Sequence, residues 1–125
     1  MFYFVDLPGY GYSKISKKEQ INMGDFIEEY LKIRKNIVLI VFLIDIRHFP
    51  TDNDKLMYNY IINNINTPCI IIANKADKIS PTKIQLQIKE LQNILNPLND
   101  IQFLPLSSEK KLYCENVWNE IQKYI

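Results

Sequence analysis

The sequence predicts an α/β fold, a parallel sheet with helices on both faces, and three observations lead there. Apolar, β-branched runs alternate four times with segments of helical spacing, an order that implies parallel strands joined by crossover helices. Two of the runs, Ile37 to Ile44 and Pro68 to Ala73, lack polar alternation, as strands buried on both faces do. The runs end in short loops rich in Asp, Asn, Gly and Ser, the residues that bind ligands at the carboxyl edge of such sheets.

Taken in order, Phe2 to Val5 is a short β-prone segment feeding Asp6-Leu7-Pro8-Gly9 and then Tyr10-Gly11-Tyr12-Ser13. Lys17 to Arg34 carries Met23, Phe26, Ile27, Tyr30 and Leu31 at three-four spacing and predicts an amphipathic helix, slightly weakened by Gly24. Ile37 to Ile44 is the next strand, followed by a loop from Asp45 to Asp52. A second helix from Asp52 to Asn64 turns Leu56, Met57, Tyr60 and Ile61 inward. The strand from about Pro68 then ends in Asn74-Lys75-Ala76-Asp77. Ser80 caps a third helix with Pro81 in its first turn, and Ile84, Ile88, Leu91 and Leu95 form its core face until Asn96-Pro97 stops it. Ile101 to Leu106 is the last strand, Ser107 to Lys111 a polar loop, and Val117, Trp118, Ile121 and Tyr124 mark a closing helix whose inward side includes the tryptophan.

Composition narrows the function. The 125 residues suit one domain or part of one, with 47% hydrophobic and 23% charged residues as in ordinary globular proteins. A net charge of +1 argues neither for nor against nucleic acid, because no basic field dominates, and no DNA partner is expected. The longest apolar run falls well short of the roughly twenty residues that span a bilayer, and the amino end has no signal-peptide pattern, so no membrane partner is expected. Cys69 and Cys114 lie far apart with no metal-site spacing and read as small core hydrophobes. The residues leave the oligomeric state open, with a monomer as the expectation.

The chemistry concentrates in three loops. Asp77 is placed to accept paired hydrogen bonds from the ring N1–H and exocyclic amine that guanine alone presents together. Asn74 offers an amide contact and a tie between loops, and the stem of Lys75 can lie over the base. In Asp6-x-x-Gly9 the carboxylate can hold a water of a phosphate-bound magnesium, while glycine lets its backbone N–H approach a terminal phosphate. Asp45, Arg47 and His48 resemble an acid–base cluster, but no nucleophile accompanies them and a loop-bracing role is preferred. Tyr10 and Tyr12 either stack on a partner or pack beneath the sheet edge. Lys110-Lys111 reads as a solvated loop.

Together Asp6-Leu7-Pro8-Gly9-Tyr10-Gly11-Tyr12, Asp45-Ile46-Arg47-His48, Asn74-Lys75-Ala76-Asp77 and Leu106-Ser107-Ser108-Glu109-Lys110-Lys111 resemble the EngB family of translation-factor-related GTPases over essentially the whole chain. The family's usual guanine loop begins with Thr where this chain has Asn74. The resemblance implies a GTPase using Mg2+ with GTP or GDP, linked to large ribosomal subunit assembly or its RNA and, in bacteria, to division septation. It implies a cytoplasmic place in bacteria and a mitochondrial or plastid one in eukaryotes, and the residues do not choose between them.

By the same resemblance, Asp6, Leu7, Pro8 and Gly9 serve the γ-phosphate and, from Asp6 through water, the magnesium. Asn74, Lys75, Ala76 and Asp77 serve the base, and Leu106, Ser107 and Ser108 bring backbone near guanine O6. Tyr10 stands where Ras-like enzymes carry their water-orienting glutamine, which implies slow hydrolysis without a partner. No Gly-x-x-x-x-Gly-Lys-Ser/Thr occurs, since Gly9, Gly11 and Gly24 are the three glycines. The chain is therefore read as the carboxyl-terminal portion of a P-loop GTPase (Ras-like G) domain without its first strands, residues 1–125 forming part of one domain. The competing reading is a noncatalytic α/β scaffold fragment that has lost its nucleotide.

Overall fold

A computed structural model describes residues 1–7, 16–96 and 100–125. Pro8, Gly9, Tyr10, Tyr12 and Pro97 lie outside the described residues, as does the side chain of Met23. The elements run α1 (Lys17–Ile33), β1 (Ile40–Asp45), α2 (Asp52–Asn64), β2 (Cys69–Asn74), α3 (Ile84–Leu95), β3 (Phe103–Pro105) and α4 (Cys114–Gln122). The three strands form a parallel sheet in the order β1-β2-β3, as the alternation of strands and helices requires.

The chain divides into two compact units. The first holds Met1–Ile37 and Thr51–Asn66. Its helices start where their sequences provide reciprocal caps. The Ser16 hydroxyl accepts from the Glu19 N–H at 3.1 Å while the Glu19 carboxylate accepts from the Ser16 N–H, and Thr51 and Asp54 repeat the exchange at the start of α2. Ile27 and Leu31 on α1 and Met57, Tyr58 and Ile61 on α2 are buried, and the Tyr60 hydroxyl donates to the Glu28 carbonyl at 3.4 Å.

Two expectations on these helices fail. Phe26 and Leu56 are exposed, and Tyr58 takes the inward place assigned to Leu56. Both residues sit at the margin of a stripe, where spacing alone does not fix its centre. Phe2 to Val5 forms no strand and is exposed. Among the described residues the sheet pairs β1, β2 and β3, and Phe2 to Val5 joins none of these ladders.

The second unit, Val38–Pro50 with Thr67–Ile125, carries the sheet, α3 and α4. β2 is central, and each of its residues from Cys69 to Ala73 is buried. Ile70 and Ile72 pack with Val117 and Ile121 of α4, and Leu39, Leu104, Leu106 and Tyr124 close around them. Burying each such aliphatic side chain contributes about 1.5–3 kcal/mol. The predicted face of α3 is buried at all four positions, Ile84, Ile88, Leu91 and Leu95.

β1 departs from the prediction of burial on both faces. Phe42 and Ile44 are buried, but Val41 and Leu43, which alternate with them onto the opposite face of the strand, are exposed, so one face of β1 is covered and the other is not. Trp118 is 39% exposed and Cys114 is exposed, against their expected core places, while Cys69 is buried and its thiol is pushed up to about 12 by that burial. Ser80 makes no side-chain cap. Pro81–Lys83 winds as a 3₁₀ turn ahead of α3, and the Ser80 hydroxyl instead meets that of Thr82 at 3.0 Å.

Candidate functional site

The parallel register sets Asp45, the last residue of β1, beside Asn74, the last residue of β2. Lys75 then adopts a left-handed backbone (φ 66, ψ 32), unusual for a side chain with a Cβ, and Ala76–Lys78 forms one 3₁₀ turn closed by the Lys78 N–H on the Lys75 carbonyl at 3.0 Å. This reversal brings Asp77 back to the sheet edge. Ala76 and Leu106 are the backbone stitches. The Ala76 N–H donates to the Leu106 carbonyl at 3.0 Å, and the Leu106 N–H donates to the Ala73 carbonyl at 2.9 Å.

The loop after β3 completes the site. Ser107 is fully buried, and its hydroxyl donates to Asp77 Oδ1 at 2.7 Å while accepting the Lys110 N–H at 3.0 Å. Its backbone exchanges two bonds of 3.1 Å with Leu112, which pinches the loop shut. Asn74 grips Ser108 from both ends of its amide, Nδ2 donating to the Ser108 hydroxyl and Oδ1 accepting the Ser108 N–H, each at 3.1 Å. The two Ser backbone N–H groups assigned to guanine O6 are thus engaged within the protein, by Leu112 and by Asn74.

A cavity of about 250 Å³ opens between these loops, lined by Arg47, Asn74, Lys75, Asp77, Lys78, Ser108 and Glu109. It is small beside the roughly 300–1,000 Å³ pockets that enclose a whole ligand, a size suited to one flat ring system. The Asp77 side chain is only 7% exposed, and the Ser107 hydroxyl, aided by a backbone N–H and by Lys78, holds its carboxyl below the usual range against the opposing effect of desolvation. Lys78 Nζ lies 3.6 Å from Asp77 Oδ2 and 3.5 Å from Glu109 Oε2.

Asp45 braces the cavity from β1. Partial burial raises its carboxyl, but bonds from the Arg47 side chain and backbone and from Lys75 outweigh this and hold it well below the usual range. Arg47 Nη2 reaches Oδ2 at 2.8 Å, its backbone N–H reaches Oδ1 at 2.9 Å, and Lys75 Nζ is 3.3 Å from Oδ2. Loop bracing is the role expected for this pair. His48 is exposed, joined to Asp45 through a 3.3 Å backbone bond. Lys110 and Lys111 are exposed, as a solvated loop requires.

The structure therefore gathers Asn74, Lys75, Ala76, Asp77, Leu106, Ser107 and Ser108 into one site. Asp6 and Leu7 belong to the other unit, at the end of the segment 1–7, while Pro8 and Gly9 fall outside the described residues. Among the described residues no group of three or more His, Cys, Asp or Glu could hold a metal. Sequence reasoning missed Lys78, Glu109 and the reach of Asp45 to Lys75. Lys78 adjoins Asp77 in sequence, and strand register could have paired Asp45 with the guanine loop, but no sequence signal places Glu109. No helix among the described residues is long and apolar enough to cross a membrane.

Comparison with known proteins follows the same lines. The family described as 50S ribosome-binding GTPase matches residues 1–75. A probable GTP-binding protein EngB of Clostridioides difficile (strain 630) is 46% identical over 120 residues, 96% of this chain and 59% of that protein, so the chain spans well under two thirds of that relative's length. A crystal structure of a probable GTP-binding protein EngB has the same fold, with a TM-score of 0.76 over 96% of this chain and 76% of that one at 24% identity. A structure of Era in complex with MgGDPNP and a segment of 16S ribosomal RNA aligns at TM-score 0.72 and 27% identity, over 95% of this chain and 38% of that one.

Proposed function

The chain belongs to the 50S ribosome-binding GTPase family and is homologous to the EngB proteins, and on that premise we propose that it is the carboxyl-terminal part of an EngB-type GTPase domain whose cavity reads the guanine base of GTP and GDP. One observation carries the reading: a nearly buried carboxylate, Asp77, fixed by the Ser107 hydroxyl at 2.7 Å on the wall of a cavity shared with the Asn74–Ser108 tie. An ionised carboxylate accepts from two donors side by side, which guanine offers at N1 and its amine and adenine does not. Each carboxylate oxygen has more than one lone pair, so the Ser107 bond leaves Asp77 able to receive both. Guanine O6 would compete with Asn74 for the Ser108 N–H.

In this reading Asp6, Leu7, Pro8 and Gly9 serve the phosphate end, with Mg2+ arriving on the nucleotide's phosphates, and hydrolysis of GTP is the activity of the protein carrying the complete domain. The family description supports a large-subunit assembly role, and the Era relative bound to a segment of 16S ribosomal RNA, a small-subunit RNA, supports ribosomal RNA only as a class of partner. A part in bacterial septation rests on the likeness to EngB alone. A scaffold that has lost its nucleotide is not favoured, because such a module has no use for an ionised carboxylate held inside a cavity.

The test is a titration of the 15N-labelled 125-residue chain with millimolar GDP and, separately, ADP. GDP should move the amide signals of Asn74 to Lys78 and of Ser107 to Glu109, and ADP should leave them in place. Equal responses to both nucleotides, or none to GDP, would refute base reading.

A further inference from the structure

Lys75 presents a problem that the guanine-loop chemistry leaves open. A lysine stem has four rotatable bonds and loses up to about 2 kcal/mol of rotamer entropy when fixed, so a stem lying against a base must be held from somewhere. Its backbone is left-handed, a conformation that persists only where the surroundings determine it. The holding group is on the neighbouring strand. Lys75 Nζ sits 3.3 Å from Asp45 Oδ2, and Asp45 cannot follow the ammonium if it moves, because Arg47 grips both carboxylate oxygens from its side chain and one from its backbone N–H. Arg47 and Lys75 line the same cavity as Asp77.

We propose that Asp45 is a positioning residue for the nucleotide base, acting through Lys75: with Arg47 as its brace, it anchors the ammonium so that the lysine stem lies along the cavity wall where the flat face of the base enters. The proposal rests on the guanine-reading function of this site. It separates two roles that the Asn-Lys-x-Asp loop combines. Asp77 reads which base is present through its donors, whereas the Asp45–Lys75 pair supports any purine ring of that outline and does not sense the exocyclic amine.

That division is measurable with GDP and with IDP, whose hypoxanthine lacks the amine, by titration of the labelled 125-residue chain. Asp45→Asn should weaken GDP and IDP alike, by about two- to fivefold, the effect of losing one exposed ion pair, and leave the GDP-to-IDP ratio unchanged. Lys75→Met should do the same, and the double variant should be no weaker than the worse single one. Undiminished affinity in Asp45→Asn, a changed ratio, or effects that multiply would overturn the proposal. If Asp45→Asn does not fold, Arg47→Gln keeps the carboxylate while loosening it, and should lower both affinities by a common, smaller factor. No change in that variant, or failure of both variants to fold, makes the pair a structural brace only. Failure of the underlying reading looks different: the unaltered chain would then show no preference for GDP over ADP.

Discussion

Asp77 keeps its charge because the Ser107 hydroxyl, buried and already accepting from Lys110, has the Asp77 carboxylate as the acceptor for its proton. Its folded pKa is thereby depressed, so its contribution to stability is complete above the ordinary carboxylate range and is lost as pH falls through the lower folded value. Ser107→Ala removes the leading cause. The side-chain carbon signal of Asp77 should then titrate at higher pH, and the acid limb of the unfolding curve should move up with it; an unmoved Asp77 signal would assign the shift to Lys78 instead. Under the proposed function, Asp77→Asn should turn preference from guanine towards xanthine, whose C2 oxygen accepts where the guanine amine donates, as competition between GDP and XDP would report. At this scale the sequence was partly legible. Asn74 and Asp77 could be named from their spacing, but which serine serves which partner depends on a loop whose path is set by the Ser107–Leu112 pinch, a contact without a sequence signature.

Among the elements, β2 and β1 show what apolar runs do and do not say. Both lack alternation, yet β2 is buried from Cys69 to Ala73 and β1 on one side only, since burial of a strand depends on its neighbours as much as on its residues. The helices repeat the lesson. α3 carries its four apolar residues at spacing that leaves one choice of face, whereas α2 offers Leu56, Met57, Tyr58 and Tyr60 in near succession and the stripe settles one residue away from the expected place. β1 also gives a kinetic expectation. The Ile40 and Ile46 N–H groups donate to the Pro68 and Asn74 carbonyls, so in this parallel pair the even-numbered amides face β2, and those of Val41 and Leu43 point to the edge where, among the described residues, the sheet has no further strand. Hydrogen exchange should therefore be slow at Phe42 and Ile44 and fast at Val41 and Leu43. Equal protection along β1 would reveal a partner on that edge.

For the molecule as a whole, the fold and the gathering of the Asn74 and Ser107 loops were legible because each apolar run ends at a loop of distinctive residues, and the parallel order brings loops distant in sequence onto one sheet edge. The phosphate end is different. Affinity for a nucleoside triphosphate comes largely from a nest of backbone N–H groups and a lysine around the phosphates, and the three glycines of this sequence include none followed by Lys-Ser or Lys-Thr. Under the proposed function, what is left to hold a nucleotide is a cavity of about 250 Å³ whose lining includes Asp77 and Lys75. A single charge-assisted contact of this kind stabilises by about 1.5–3 kcal/mol, far from the roughly 8 kcal/mol of a micromolar complex. The 125-residue chain should accordingly bind a fluorescent GTP analogue no more tightly than the high micromolar range, with guanine preferred over adenine even so. Anisotropy titration checks both parts. Submicromolar binding would mean that other residues of this chain hold the phosphates, and weak binding without base preference would remove Asp77 from its assigned role.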